Sequence, residues 1–304
     1  MTVEFSVVVP VFNEEGSIDI FIQELYSSLK ALQISFEIIF VDDGSTDKTL
    51  SRIAASGLEE IKVISFTKNF GHMQALSAGY SQASGLYVGT MDGDLQHPVD
   101  TLLEMFSLIK TSGLDCVVAF QESRTDTRFL KRRMSKIFYQ ISSLMAGVRV
   151  VESAADFRIV SRRVVDDFNL LKNRDKFFRL LIPKLGYSTA YIPYMPEKRI
   201  YGESKYTLSK MIRLALKGFK EFSIKPLYWI LIAGGSTCVL GLIWMLYATY
   251  EWTQNQATPG WTSIVCALVV FSGVQIFSIG IVGIYIAEIT ELVRNRQEFT
   301  IKRL

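Results

Sequence analysis

The sequence predicts an α/β domain built on a mainly parallel sheet, followed by a short amphipathic helix and two membrane-crossing helices. Three observations carry that expectation. Over residues 5 to about 120, short β-branched runs alternate with amphipathic segments, at roughly 30 residues per unit, as strand–helix–strand repeats do. Residues 227–250 and 261–287 each run without an Asp, Glu, Lys or Arg, and each exceeds the roughly 20 residues that a helix needs to cross a bilayer. The 304-residue chain is 49% hydrophobic, with a mean hydropathy of +0.24, and the excess lies in those two runs.

The expected strands are FSVVV at 5–9, FEIIFV at 36–41, KVISF at 62–66, LYVGTM at 86–91 and DCVVAF at 115–120. Between them lie helical patterns such as SIDIFIQELYSSLKAL, and Pro98 is placed to begin the helix PVDTLLEMFSLIK. Ligands of parallel sheets bind beyond the carboxyl ends of the strands. That rule puts NEE at 13–15, DDGSTD at 42–47, KNFGH at 68–72 and DGD at 92–94 on one rim, a candidate binding crevice. Alternate residues of an extended chain point the same way, so Asp92 and Asp94 can converge on one point only if the chain stays extended through Gly93. Two converging anions need a cation; the alternative is an acidic turn at a strand end.

A second polar region, 121–205, holds Arg124, Arg128, Lys131, Arg132 and Arg133, then DFR at 156–158, then KRIYGESKY at 198–206. The basic run also fits a solvated helix face. In the last stretch Gly202, Ser204 and Lys205 supply a turn, a hydroxyl and a cation close to Arg199, a combination suited to phosphate. Over 208–222, Leu208, Met211, Ile212, Ala215, Phe219 and Phe222 form one helical stripe, with Lys210, Arg213, Lys217 and Lys220 opposite. This is the pattern of a helix lying in the membrane interface, the alternative being a helix packed on the soluble domain.

Lys217, Lys220 and Lys225 precede the first apolar run, and Arg294, Arg296, Lys302 and Arg303 follow the second, whereas 251–260 contains no Lys or Arg. Basic flanks are retained in the cytoplasm, so both termini are expected there. The N-terminus lacks the basic n-region of a signal peptide. Cys116, Cys238 and Cys266 are far apart and form no disulfide or metal pattern. The net charge is only +3, with basic residues near the apolar runs, which favours lipid headgroups or phosphates and excludes nucleic acid as a partner.

VVVPVFNEE, VDDGSTD and MDGDLQHP, in that order and spacing, resemble the inverting glycosyltransferases of family 2 with the Rossmann-like GT-A fold. NFGH, the DFR triplet and R-x-x-G-x-S-K-Y narrow the resemblance to the polyprenyl-phosphate glycosyltransferases, which include dolichol-phosphate mannose synthase. The two apolar runs match the bactoprenol glucosyltransferases of O-antigen modification. The resemblance implies a GT-A domain over 1–204, a juxtamembrane region over 205–225, a transmembrane hairpin over 226–288 and a cytoplasmic tail over 289–304. It implies a bacterial inner-membrane enzyme that transfers a hexose, glucose from UDP-glucose, to undecaprenyl phosphate, and that assembles as a homo-oligomer such as a tetramer. Mannose, a hexosamine or an aminoarabinose is the alternative sugar. A processive synthase would carry Q-x-x-R-W, which is absent, and a lipid-flipping or scaffold protein would leave the rim loops unexplained.

Carried over by position, Pro10, Phe12, Asn13, Glu14, Asp42, Asp43 and Asp92 are expected to hold the nucleotide. Asp92, Asp94 and Gln96 are expected to hold Mg2+ or Mn2+ against the diphosphate, since hard cations take oxygen ligands and stabilise such leaving groups. Arg124, Arg199, Ser204 and Lys205 are expected on phosphates, the last three on the lipid acceptor. Asp94 and Asp156 are the catalytic candidates, with Asp156 in a positioning or weak-base role because a phosphate monoester is already anionic at pH 7. His72 and His97 are read as structural, since nothing in this reaction demands an imidazole.

Overall fold

β-branched and aromatic runs form the strands, and the amphipathic intervals form the helices that cover them. In the computed structural model the elements are β1 (Phe5–Val11), α1 (Ile18–Ala31), β2 (Phe36–Asp42), α2 (Thr49–Ala55), β3 (Ile61–Ser65), α3 (His72–Gln82), β4 (Tyr87–Thr90) and α4 (Val99–Ser112). There follow β5 (Cys116–Gln121), β6 (Ala154–Ser161), α5 (Arg162–Leu170), β7 (Thr189–Tyr194) and α6 (Trp261–Val293). The structure describes residues 3–121, 154–171, 182, 185–196, 260–293 and 299–302, with isolated helical positions at 232, 236, 239, 243, 246, 250 and 253.

The strands form one sheet in the order β3-β2-β1-β4-β6-β5-β7. β1 pairs in parallel with β2 on one side and with β4 on the other, so the winding reverses between β1 and β4, where such sheets open a crevice. β1 is buried along its whole length, as a strand covered on both faces must be. The helices α1, α2 and α4 pack together on one face, and α3 with α5 on the other. Phe5 stacks on Phe106 of α4 at 4.4 Å.

All five expected strands are present. β6 and β7 were not foreseen, and β6 runs antiparallel to both β4 and β5. Its direction matters: an antiparallel strand delivers its own beginning to the carboxyl end of β4, with Arg158 opposite Thr90. The DFR triplet thereby reaches the rim.

The chain divides into two compact units, Met1–Gly218 with Gln297–Leu304, and Phe219–Arg296. In the second unit α6 is a continuous helix of 33 residues over the second apolar run, and Ile264, Leu268, Ile279, Ile286 and Ile289 along it are exposed. The first run lies mostly outside the described residues, although Ile232, Val239, Ile243 and Leu246 within it are helical and exposed. Side chains of both runs are described only in part, and among the described residues no helix is long and apolar enough to cross a membrane. The expected interfacial helix at 208–222 lies outside the described residues.

At the edge of the sheet away from the crevice, the buried Glu37 carboxylate joins three strands and a loop. It accepts from the Ser6 hydroxyl at 2.6 Å and from the Ser84 N–H and hydroxyl at 2.7 and 2.8 Å, and pairs with Lys62 at 2.6 Å. Burial alone would raise its pKa; the Lys62, Ser6 and Ser84 donors outweigh that and hold it below its ordinary 4.5. A depressed carboxyl contributes stability above its ordinary value, and the contribution is lost as pH falls through the folded value. Lys62 is largely exposed, so most of the cost of removing Glu37 comes from stranding the serine donors. Glu37→Ala is expected to cost about 2 kcal/mol and to lower the thermal midpoint by about 4 to 8 °C at pH 7. Glu37→Gln should flatten the loss of stability between pH 5 and 3 relative to wild type, as scanned by thermal unfolding.

Candidate active site

The first two rim loops lock each other. Asn13 takes a left-handed φ of 56°, which Asn tolerates better than most residues. This turns its side-chain oxygen onto the Thr46 N–H at 2.9 Å, while its own N–H donates to the Ser45 hydroxyl at 3.0 Å. Glu14 N–H donates to Thr49 Oγ1 at 2.8 Å, Glu15 N–H to Asp47 at 3.1 Å, and Lys48 N–H to the Glu15 carboxylate at 3.0 Å. Burial would raise the Asp47 pKa, but its bonds from Thr49 and the Glu15 N–H lower it on balance. The polar residues of NEE and GSTD thus satisfy one another.

Pro10 explains how the crevice opens. The Met91 N–H donates to the Val8 carbonyl, so Val8 faces β4, and Pro10, two residues on, faces the same side. Pairing with β4 ends at Val8 and Thr90. Pro10 therefore sits where no partner needs its missing N–H, and β1 and β4 part beyond it. Phe12 follows, half-buried.

Asp42 and Asp43 end β2 with their carboxylates turned into the protein. Asp42 accepts from the Ser45 N–H at 2.9 Å and the Ser65 hydroxyl at 2.8 Å. Asp43 accepts from Phe70 N–H at 2.7 Å and Gly71 N–H at 3.0 Å. Burial raises the Asp43 pKa, opposed by those two amides. Between these loops Gly44, at φ 74°, has room for no side chain: a Cβ would lie 2.5 Å from the Lys68 carbonyl carbon. The second and third rim loops are in backbone contact.

The fourth loop does not stay extended. β4 ends at Thr90, the chain turns at Gly93 and Asp94, and Leu95 takes a φ of 60°. The expectation of an extended path through Gly93 is thus corrected: the loop turns under β1, where a Cβ on Gly93 would meet Val11 Cγ1 at 2.8 Å. Asp94 accepts from the Gln96 N–H at 3.1 Å, so Asp94 and Gln96 belong to one tight turn. His97 is buried, stacked on Phe157 at 4.5 Å with Tyr194 edge-on at 5.6 Å. Its Nδ1 accepts the Asp92 N–H at 2.9 Å, which leaves the neutral ring's proton on Nε2, 3.9 Å from the Asp92 carboxylate.

β6 brings Asp156 to this loop. The Thr90 hydroxyl donates to the Asp156 carbonyl at 2.5 Å, and the buried Arg158 guanidinium pairs with the Asp156 carboxylate. Phe157, between them, points to the opposite face and packs on His97. His72 opens α3 half-exposed, with Nε2 at 3.7 Å from Asp92 and 3.6 Å from Asp156. The structure therefore separates the two histidines: His97 is a core ring that holds the Asp92 backbone, whereas His72 stands half-exposed beside the Asp92 and Asp156 carboxylates. Arg158 was missed, although its i+2 spacing from Asp156 in a strand puts both on one face.

Asp92, Asp94 and Gln96 supply only oxygen donors, with both carboxylates half-exposed at the rim. Among the described residues no three His, Cys, Asp or Glu side chains enclose a metal on their own. The set fits a hard divalent cation that takes one or two carboxylates and completes its shell from substrate phosphates and water. Arg124, Arg199, Ser204 and Lys205 lie outside the described residues.

The His97 geometry yields a test. His97→Phe keeps the stack on Phe157 but removes the acceptor of the Asp92 N–H. Turnover is expected to fall about 10- to 100-fold, as when a residue orienting a metal ligand is lost, with the thermal midpoint within about 2 °C of wild type. A fall in midpoint without a fall in turnover would assign the ring to packing alone.

Residues 6–168 match Glycosyl transferase family 2. The SfII prophage-derived bactoprenol glucosyl transferase of Shigella flexneri is 34% identical, over 99% of this chain and 98% of its own length. The prophage bactoprenol glucosyl transferase homolog of Escherichia coli strain K12 is 32% identical, over 99% of both. Among solved structures, glucosyl-3-phosphoglycerate synthase from Mycobacterium tuberculosis, in complex with Mn2+, UDP-glucose and phosphoglyceric acid, has a TM-score of 0.50 at 22% identity, over 71% of this chain and 77% of its own. That likeness is one of fold, and the mainly parallel sheet with its rim crevice is of the Rossmann-like GT-A type. The match spans more than half of the chain and takes in every rim loop, and on it the protein belongs to glycosyl transferase family 2 as a glycosyltransferase.

Proposed function

We propose that the protein transfers glucose from UDP-glucose, with inversion, to undecaprenyl phosphate at the cytoplasmic face of the bacterial inner membrane. The observation that carries this reading is the reach of the likeness: a bactoprenol glucosyl transferase matches 99% of this chain, apolar runs included. The exposed apolar side chains along α6 support a lipid environment for that unit. In this reading 227–250 and 261–287 form a hairpin with both termini in the cytoplasm, 208–222 lies in the interface, and copies assemble as a homo-oligomer.

Transfer is a single displacement. A lone pair on an acceptor phosphate oxygen forms the bond to C1 of the sugar as the bond from C1 to the UDP oxygen breaks, and that electron pair leaves on the diphosphate. The acceptor's second ionisation lies near pH 6, so no base has to create the nucleophile, and orientation supplies most of what the protein adds. A divalent ion held by Asp92, Asp94 and Gln96 would neutralise the charge that develops on UDP. Asp156, fixed by Arg158, orients the reacting groups rather than removing a proton. Pro10, Phe12, Asn13 and Glu14 shape the nucleoside side of the crevice, while Asp42 and Asp43 hold the loops around it. Arg124 takes a donor phosphate, and Arg199, Ser204 and Lys205 take the acceptor phosphate.

Asp94→Ala is expected to lower transfer of radiolabelled glucose into undecaprenyl phosphate by about 100- to 1,000-fold while leaving thermal unfolding unchanged. EDTA should do the same to the wild type, with recovery on adding Mg2+ or Mn2+. Full activity in EDTA would reject the metal.

Arg199→Ala and Lys205→Ala are expected to raise the KM for the lipid about tenfold or more, since a charge-assisted phosphate contact is worth about 1.5 to 3 kcal/mol. UDP affinity by isothermal titration should change less than twofold. Loss of UDP affinity with an unaltered lipid KM would place both residues on the donor.

A further inference from the structure

The chain end returns to the first compact unit after α6. Residues 299–302 lie along the outer side of β3, the edge strand of the sheet on the crevice's nucleotide side. Phe66 and Ile301 form an antiparallel bridge. Thr67 N–H donates to the Thr300 carbonyl at 3.1 Å, and Lys302 N–H donates to the Ser65 carbonyl at 2.7 Å. The tail covers the free edge just where β3 gives way to the third rim loop.

A ring contact carries the tail's position inward. Phe299 stacks on Phe66 at 5.0 Å with 20° between planes, and Phe66 meets Phe70 edge-on at 5.6 Å. Phe66 is 2% exposed. Phe70 and Gly71 are the residues whose amides Asp43 clamps, and the next residue, His72, faces Asp92 and Asp156. The same strand end is held from the other side, where the Ser65 hydroxyl donates to Asp42.

We propose that Phe299 is a positioning residue for the donor site: the docked tail sets the 68–72 loop through Phe66 and Phe70, and so the placement of His72 against the carboxylates. This deepens the proposed function and rests on it for the identity of the donor. An exposed edge needs covering to prevent mispairing, and a segment that only covered it would act on the backbone of Ser65 to Thr67 and no further. The aromatic relay reaches two residues that the tail does not bond.

Phe299→Ala, Phe299→Tyr and Lys302→Pro in the full-length protein separate these roles. Lys302→Pro removes the N–H that bonds Ser65, without touching the rings. Amide hydrogen exchange is read at Thr67, Phe70 and Gly71, and KM for UDP-glucose and for lipid acceptor in parallel. In Phe299→Ala, exchange at Phe70 and Gly71 should quicken by about five- to tenfold, the scale of one lost aromatic pair. Donor KM should rise by a similar factor, and acceptor KM should stay within twofold. Lys302→Pro, which leaves the rings in place, should leave exchange at Phe70 and Gly71 and the donor KM within twofold of wild type, and Phe299→Tyr should keep wild-type values. In Phe299→Ala, faster exchange confined to Thr67, or unchanged exchange throughout, overturns the proposal, as does an equal quickening of Phe70 and Gly71 in Lys302→Pro. The exchange arm needs no substrate, so it decides the matter even if the wild type fails to transfer glucose, a result that would count against the proposed function alone.

Discussion

The Asp43 carboxylate accepts the N–H groups of Phe70 and Gly71, and the β2–β3 side of the crevice depends on that clamp. If that carboxylate were lost, the two loop amides would lose their acceptor, and each unpaired group in such surroundings costs about 1 to 3 kcal/mol. The clamp also fixes where α3 begins, and with it His72. Asp42, its neighbour, performs the matching task one strand over by holding Ser45 and Ser65. Two adjacent acids at one strand end therefore tie the second and third rim loops and the end of β3 together, and Gly44 lets those two loops approach to backbone contact.

The other side of the crevice is governed by charge balance. Asp92, Asp94 and Asp156 gather at the ends of β4 and β6, and the cationic groups described near them are Arg158, paired with Asp156, and His72 when protonated. Burying a guanidinium carries a large desolvation cost, so a pair of this kind contributes little net stability; its use is to fix one carboxylate in one direction. The Cys116 thiol on the adjacent strand is pushed up to about 12 by burial, which leaves it a neutral, inert part of the core. The two remaining carboxylates stay half-exposed at the rim, open to the divalent cation of the proposed reaction.

Sequence alone determined the five parallel strands, because β-branched runs buried on both faces have no other reading at that length, and it determined that four polar loops share a rim, because parallel strands all end on one side. The motif order identified the family for the same reason: loop chemistry repeats at fixed spacing. Only tertiary structure decided what those loop residues do. Asp42 and Asp43 face inward to protein amides and hydroxyls, and Ser65, Phe70 and Gly71, 23 to 28 residues away, are partners that no local pattern encodes. β6 escaped notice because its neighbours in space, β4 and β5, precede it in the chain by a long interval, and its antiparallel sense is what places Asp156 beside His72. The separation of the two histidines likewise depends on which ring meets Phe157. The return of Phe299 to Phe66 joins residues from opposite ends of the sequence, and long-range contacts of that kind exist only once the chain has folded.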